Sequence, residues 1–325
     1  RLHEGRAADG RAWRDGAGPV TTAGDRASLT LHDDRYFDSD PAVRRAARAV
    51  YDETRALPLV CPHGHVDPRI LATNEPFPEP TALLLLPDHY ILRMLYSRGV
   101  SLESLGIPRR DGTGVEHDPR AIWQRFAEHY HLFLGTPTAA WLDYELYELF
   151  GVREKLNAVS ARRVYDAVAE RLRSPEFRPR ALFERFGIEV LATTDRATDT
   201  LEHHRTIRDS GWRGRVIPTF RPDALFAVAA PAWRDDLEAL ERIAGSPIRT
   251  AVELADALAW RRRDFQAVGA TAPDHGVEVP RTGWLHEREL EPLFERALDG
   301  RATPADQRAF EAHMLMEMAR LSIGE

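Results

Sequence analysis

Leu57-Pro-Leu-Val-Cys-Pro-His-Gly-His-Val-Asp-Pro68 is the stretch on which the reading of this 325-residue chain turns. Its first part, Leu57–Val60, is a short apolar run that reads as a buried strand; 61–68 is polar and carries two histidines two residues apart. Side chains in a strand alternate faces with a period of two. His63 and His65 are therefore expected to point the same way, and two neutral imidazoles can grip one divalent cation. Polar groups at the C-terminal end of a strand are where a parallel barrel keeps its chemistry.

The same pattern recurs downstream. Ile188–Asp195, Arg215–Asp223 and Val268–His275 are apolar runs that each end in polar residues, with helical segments between them. Strands that alternate with helices pair in parallel, because the crossover returns the chain to the same end of the sheet. The expected fold is α/β, a (β/α)8 TIM-type barrel. A doubly wound open sheet is the runner-up, but no glycine-rich phosphate loop follows the first strand.

Four regions are expected: a flexible arm over 1–28, a helix and first strand over 29–68, a helical insertion over 69–180, and a barrel continuation over 181–325. Asp40 and Pro41 should start a helix at about 41–56 whose face is Val43, Ala47, Val50 and Tyr51. The insertion shows helical spacing over 81–98, 119–134, 138–150 and 160–173, and a last helix over 304–321 buries Phe310, Met314, Met318 and Leu321. The chain begins at Arg1 and ends just after that helix, which reads as part of a longer protein whose last strands are missing here.

Composition narrows the class. Hydrophobic residues make up 43% and charged residues 29%, as in a globular protein. The longest strongly apolar run, Leu83–Leu86, is far short of the roughly 20 residues of a membrane-spanning helix. A net charge of -7 with no basic stripe excludes a nucleic-acid partner. Cys61 has no second cysteine to pair with and reads as a small buried residue; Lys155 is the only lysine.

Four further blocks follow the histidine pair in order. They are Asp88-His89-Tyr90 with Arg93 and Gly99, Thr193-Thr194-Asp195 with Asp199, Leu201 and His204, Arg221-Pro222-Asp223, and Asp274-His275-Gly276. Together the five blocks resemble those of the glucuronate (uronate) isomerases of the amidohydrolase superfamily. The resemblance implies an amidohydrolase-type barrel that interconverts D-glucuronate with D-fructuronate and D-galacturonate with D-tagaturonate in hexuronate catabolism. It implies one divalent metal, zinc being the expectation, held by His63, His65 and an aspartate that would lie beyond Glu325, near an arginine that would also lie there. A cytoplasmic enzyme is expected, with a small-molecule hexuronate as its partner and homo-oligomerisation open.

Moving a proton between C2 and C1 through an enediol needs a base, an acid and a stabiliser of oxyanion character. Tyr90 is a candidate proton donor or acceptor, Asp223 a candidate base or hydroxyl ligand, and His275 and His89 candidates to polarise or orient oxygens. Arg221 and Arg180 are candidates for the substrate carboxylate. Plainer roles stand beside these: Asp195 as a helix cap, Tyr90 and Trp141 as core. Two other functions compete. A mononuclear metal-dependent hydrolase fits the same barrel, whereas a lysine-bridged binuclear site does not, since Lys155 lies in the helical insertion. A non-catalytic sugar-acid binder would need the arginines but not the paired histidines.

Overall fold

The computed structural model describes residues 28–323, so the arm expected over 1–28 lies, Ser28 excepted, outside the described residues. The chain divides into two compact units. One comprises the described residues up to Asp38 with Pro78–Arg171; the other comprises Ser39–Phe77 with the described residues from Leu172 onward.

The second unit carries the sheet. Its strands are β1 (Leu59–Cys61), β2 (Ile188–Arg196) and β3 (Arg215–Arg221), all parallel, in the order β1-β2-β3. The β1–β2 register ends at Cys61↔Leu191, and β2–β3 runs from Val190↔Arg215 to Arg196↔Arg221. β2 is covered on both faces, as parallel sheets are. On one side Leu191 and Val216 pack with Leu71, Phe183 and Ile207; on the other, Val190 and Ala192 pack with Ile217. The largest core lies among the helices Trp233–Ala244, Ala251–Ala267, Glu287–Leu298 and Pro304–Ile323, around Trp233, Phe265, Phe294, Phe310, Met314 and Met318. Burying each such side chain contributes roughly 1.5–3 kcal/mol, so this cluster dominates the unit's stability.

The first unit is helical. Its helix Pro119–Glu128 buries Trp123 and Phe126, and the Trp123 indole donates to the Ala161 carbonyl at 3.0 Å. Helices in both units start on a capping side chain followed by proline, at Asp40-Pro41, Asp67-Pro68, Asp118-Pro119 and Thr136-Pro137. Proline suits that first position because its missing N–H would have no helical partner there. Among the described residues no helix is long and apolar enough to cross a membrane.

Several expectations are corrected. The helix expected over 81–98 is two, Pro80–Leu84 and His89–Ser97, with Pro87 between them; proline disfavours helical backbone at the residue before it. The stretch 138–150 is α-helical only to Tyr144 and continues as a π turn over Glu145–Leu149. The helix Pro41–Thr54 forms on its cap but buries no residue, and Val50 is 66% exposed. β1 is an exposed edge, with Val60 59% exposed, where a buried strand was expected. Val268–His275 is not a strand: a single parallel bridge, Phe220↔Pro273, joins it to β3. Gly269 has φ 107°, outside strand geometry, and Pro273 has no N–H to continue a ladder.

Candidate functional site

His63 and His65 lie beyond β1, because Pro62 cannot extend the ladder past Cys61. Strand alternation is therefore not what aligns them; the turn is. Their Nε2 atoms are 3.1 Å apart, with ring centroids at 4.9 Å in an edge-to-face arrangement. Two nitrogens held at zinc–imidazole distances in tetrahedral geometry lie about 3.3 Å apart. The pair thus fits one divalent cation as two of its ligands. Among the described residues no group of three or more His, Cys, Asp or Glu gathers around a single point.

The turn is tied to its neighbours on two sides. Thr194 Oγ1 donates to the Gly64 carbonyl at 2.8 Å. Asp274 Oδ2 lies 3.2 Å from His63 Nδ1 and 3.7 Å from Arg221 Nη1. That oxygen is buried and has no hydrogen-bond partner.

Beyond β3, Asp223 gathers three donors. Its Oδ2 accepts from Arg221 Nε at 2.8 Å and from the Gly276 N–H at 2.7 Å, while Oδ1 faces His275 Nδ1 at 3.2 Å. Burial pushes the Asp223 carboxyl up, but the hydrogen bonds from His275, Gly276 and Arg221 outweigh it and hold the group below its ordinary value. With Nδ1 turned to Asp223, the His275 ring keeps Nε2 for another partner, and it stacks on Phe226 with centroids 6.1 Å apart. A side chain at position 276 would have to move the Arg221 guanidinium: a Cβ there would lie 3.0 Å from Arg221 Cζ and 3.3 Å from Asp223 Oδ2. Next to Asp223 and Gly276 opens a groove of about 830 Å³, whose lining includes Arg281, Arg308 and Glu311.

A third polar cluster is buried. Thr193 Oγ1 bonds Asp195 Oδ2 at 2.6 Å and His204 Nε2 at 2.8 Å, and the Thr219 N–H adds a bond to Asp195 at 3.3 Å. Asp195 therefore caps no helix. Burial pushes its carboxyl up to about 6 and pushes the His204 imidazole down to about 4. His204 Nδ1 is buried with no partner.

The other predicted residues have partners of their own. Arg180 donates through Nε to the Leu71 carbonyl at 2.8 Å and through Nη2 to Ala72 at 3.1 Å, while its N–H donates to Asn74. Its guanidinium is thus committed to backbone rather than open to a carboxylate. Arg221 is likewise engaged by Asp223 and Asp274. His89 and Tyr90 belong to the helical unit, on the first turn of His89–Ser97, with ring centroids 4.2 Å apart. Asp88, the first residue of that block, is the helix cap, accepting from Tyr90 N at 2.8 Å. Tyr90 and Trp141 are 60% and 61% exposed, so neither is core. Cys61 is half-buried. Asp274 and Thr194 were not singled out from the sequence, although each stands inside a recognised block; a residue adjacent to a catalytic candidate at a strand end was the available signal.

The comparisons with known proteins agree with these blocks. The glucuronate isomerase family model matches residues 36–324. A uronate isomerase of Nostoc punctiforme is 51% identical over 294 residues, covering 90% of this chain and 62% of the relative, and one of Rhizobium meliloti is 47% identical over 292 residues, covering 90% and 62%. The crystal structure of a glucuronate isomerase from Caulobacter crescentus superposes with a TM-score of 0.88 at 42% identity, covering 92% of this chain and 62% of that one. A uronate isomerase structure from Thermotoga maritima gives 0.81 at 26% identity, covering 90% and 62%. The chain therefore spans about 62% of the length of the relatives it matches. With its parallel strands and strand-end polar clusters in the TIM-barrel-type fold of those structures, this chain belongs to the glucuronate isomerase family of the amidohydrolase superfamily.

Proposed function

We propose that the full protein is an aldose–ketose isomerase of hexuronates, interconverting D-glucuronate with D-fructuronate and D-galacturonate with D-tagaturonate. The observation that carries this reading is the convergence of His63, His65, Asp274, Arg221, Asp223 and His275 at the ends of β1 and β3, in a chain of this family. His63 and His65 would hold one divalent metal, zinc being the expectation, in keeping with a superfamily that is generally metal-dependent. Such a metal, when bound, supplies charge that stabilises oxyanion character at the substrate's carbonyl and hydroxyl oxygens.

The chain's own residues account for the proton movements. The proton on C2 leaves to a base as the C1 carbonyl oxygen gains one, giving an enediol. C1 then takes up a proton while the C2 hydroxyl loses its own. His275, oriented by Asp223, is the acid–base candidate in the sheet-bearing unit, because its Nε2 is left for substrate. Asp223 has both oxygens occupied, so orienting His275 suits it better than acting as the base itself. Tyr90, exposed on its helix, stays a candidate proton donor or acceptor on its motif block, with His89 beside it. Arg281 and Arg308 in the groove beside Asp223 are better placed for the uronate carboxylate than Arg180. The setting is a cytoplasmic enzyme with a small-molecule substrate and neither nucleic-acid nor membrane partner; self-association is the one assembly left open.

Running the full-length enzyme to equilibrium in heavy water tests the chemistry. Proton transfer through an enediol should place deuterium at the carbon that receives the proton. A pool free of deuterium after many turnovers would point to a shielded hydride shift instead.

A further inference from the structure

The backbone ladder between β1 and β2 stops at Cys61↔Leu191. Three residues further along each strand stand Gly64 and Thr194, and there the Thr194 hydroxyl donates to the Gly64 carbonyl at 2.8 Å. A side chain thus supplies, in register, the inter-strand bond that the backbone no longer makes. The approach is close: a Cβ on Gly64 would lie 3.2 Å from the Ala192 carbonyl oxygen and 3.5 Å from Leu191 Cδ1. Strand alternation divides the Thr193-Thr194-Asp195 block between two tasks. Thr193 and Asp195 turn to the buried bonds with His204, whereas Thr194 turns to the histidine turn.

We propose that Thr194 is a positioning residue for the metal-binding pair: its hydroxyl fixes the Gly64–His65 peptide so that the two Nε2 atoms converge. The inference rests on reading those histidines as metal ligands. The Gly64 carbonyl belongs to the Gly64–His65 peptide, so holding it restricts the backbone next to His65 and one residue from His63. Without that bond nothing in the ladder constrains the turn after Pro62, and the 3.1 Å approach of the rings is one geometry among many. Outer-shell hydrogen bonds of this kind affect metal affinity by about 10- to 100-fold.

The test is to titrate zinc and, separately, cobalt(II) into the full-length protein and its Thr194→Val, Thr194→Ser and Gly64→Ala variants. Affinity should fall about tenfold or more in Thr194→Val and Gly64→Ala and stay within about threefold in Thr194→Ser, which keeps the hydroxyl. The visible absorption of the cobalt-loaded Thr194→Val protein should change in position or intensity, a readout of ligand geometry that a general loss of stability would not give. Thr194 is only partly buried, so Val should leave circular dichroism unchanged; if it does not fold, Gly64→Ala decides. Unchanged affinity and cobalt spectrum in Thr194→Val, or no recovery with Ser, overturns the positioning role while the metal reading stands. Absence of metal uptake by the unmodified protein overturns both.

Discussion

Two histidine-bearing clusters flank β2, and they are built on opposite physical terms. His204 and Asp195 have side chains 1% and 4% exposed, and burial dominates them. The His63 side chain is 51% exposed, on a turn after a three-residue edge strand; Asp274 contacts its ring and Thr194 bonds the carbonyl of the next residue, Gly64. The converging imidazole nitrogens on which the proposed metal site rests belong to the exposed pair. A perturbed pKa is only a probabilistic marker of function, and here desolvation is its largest cause, with the charges of Asp199 and Asp67 adding to it at Asp195 and those of His203 and Arg205 at His204. The buried cluster fixes the end of the strand, and the exposed one uses the place so fixed.

The largest effect that would break this contrast is on metal content. His63→Ala and His65→Ala should each lose most bound metal in the full-length protein while changing the stability of the metal-free protein by no more than about 0.5 kcal/mol, as at other exposed positions. Elemental analysis showing unchanged stoichiometry in both would end the assignment. The buried cluster should behave in reverse. Thr193→Val removes the hydroxyl that links Asp195 and His204, leaving both buried groups short of a partner, and should cost about 1–3 kcal/mol. Urea midpoints would measure that, with metal stoichiometry of the folded variant preserved.

The smallest effect is a pH dependence that the wild type conceals. Asp195 is raised to about 6, so its contribution is present below its ordinary value near 3.8 and is lost as pH rises through about 6. His204 is lowered to about 4, so its contribution is present above about 6.5 and is lost as pH falls through about 4. Between about 4 and 6 the two slopes oppose each other, each about 1 kcal/mol per pH unit at most. His204→Gln should therefore show stability falling as pH rises across that window, and Asp195→Asn stability rising. Parallel denaturation profiles for the two variants would show that the groups do not titrate as an opposed pair.

What the sequence disclosed follows the same division. The spacing of His63 and His65 pointed to shared coordination, but through a strand pleat that Pro62 prevents; proximity came from a turn whose shape depends on a threonine 130 residues away. The cap and apolar spacing of Pro41–Thr54 were readable, whereas its exposure was not, because periodicity says which residues share a face and not what covers it. The motif blocks located the strand ends even where one strand dissolved into a single bridge at Pro273, since two backbone bonds to Phe220 still deliver Asp274 and His275. Arg180 misled because its partners are carbonyls of Leu71 and Ala72, more than 100 residues distant along the chain, and nothing local announces them.

Gly276 carries a consequence for anyone reshaping the groove beside it. A randomised library covering the groove wall would treat this exposed glycine as the most permissive position. Any larger residue there displaces the Arg221 guanidinium, and with it the counter-charge shared by Asp223 and Asp274. Selection for altered substrate preference should therefore find its survivors elsewhere on the groove wall, with position 276 returning as glycine.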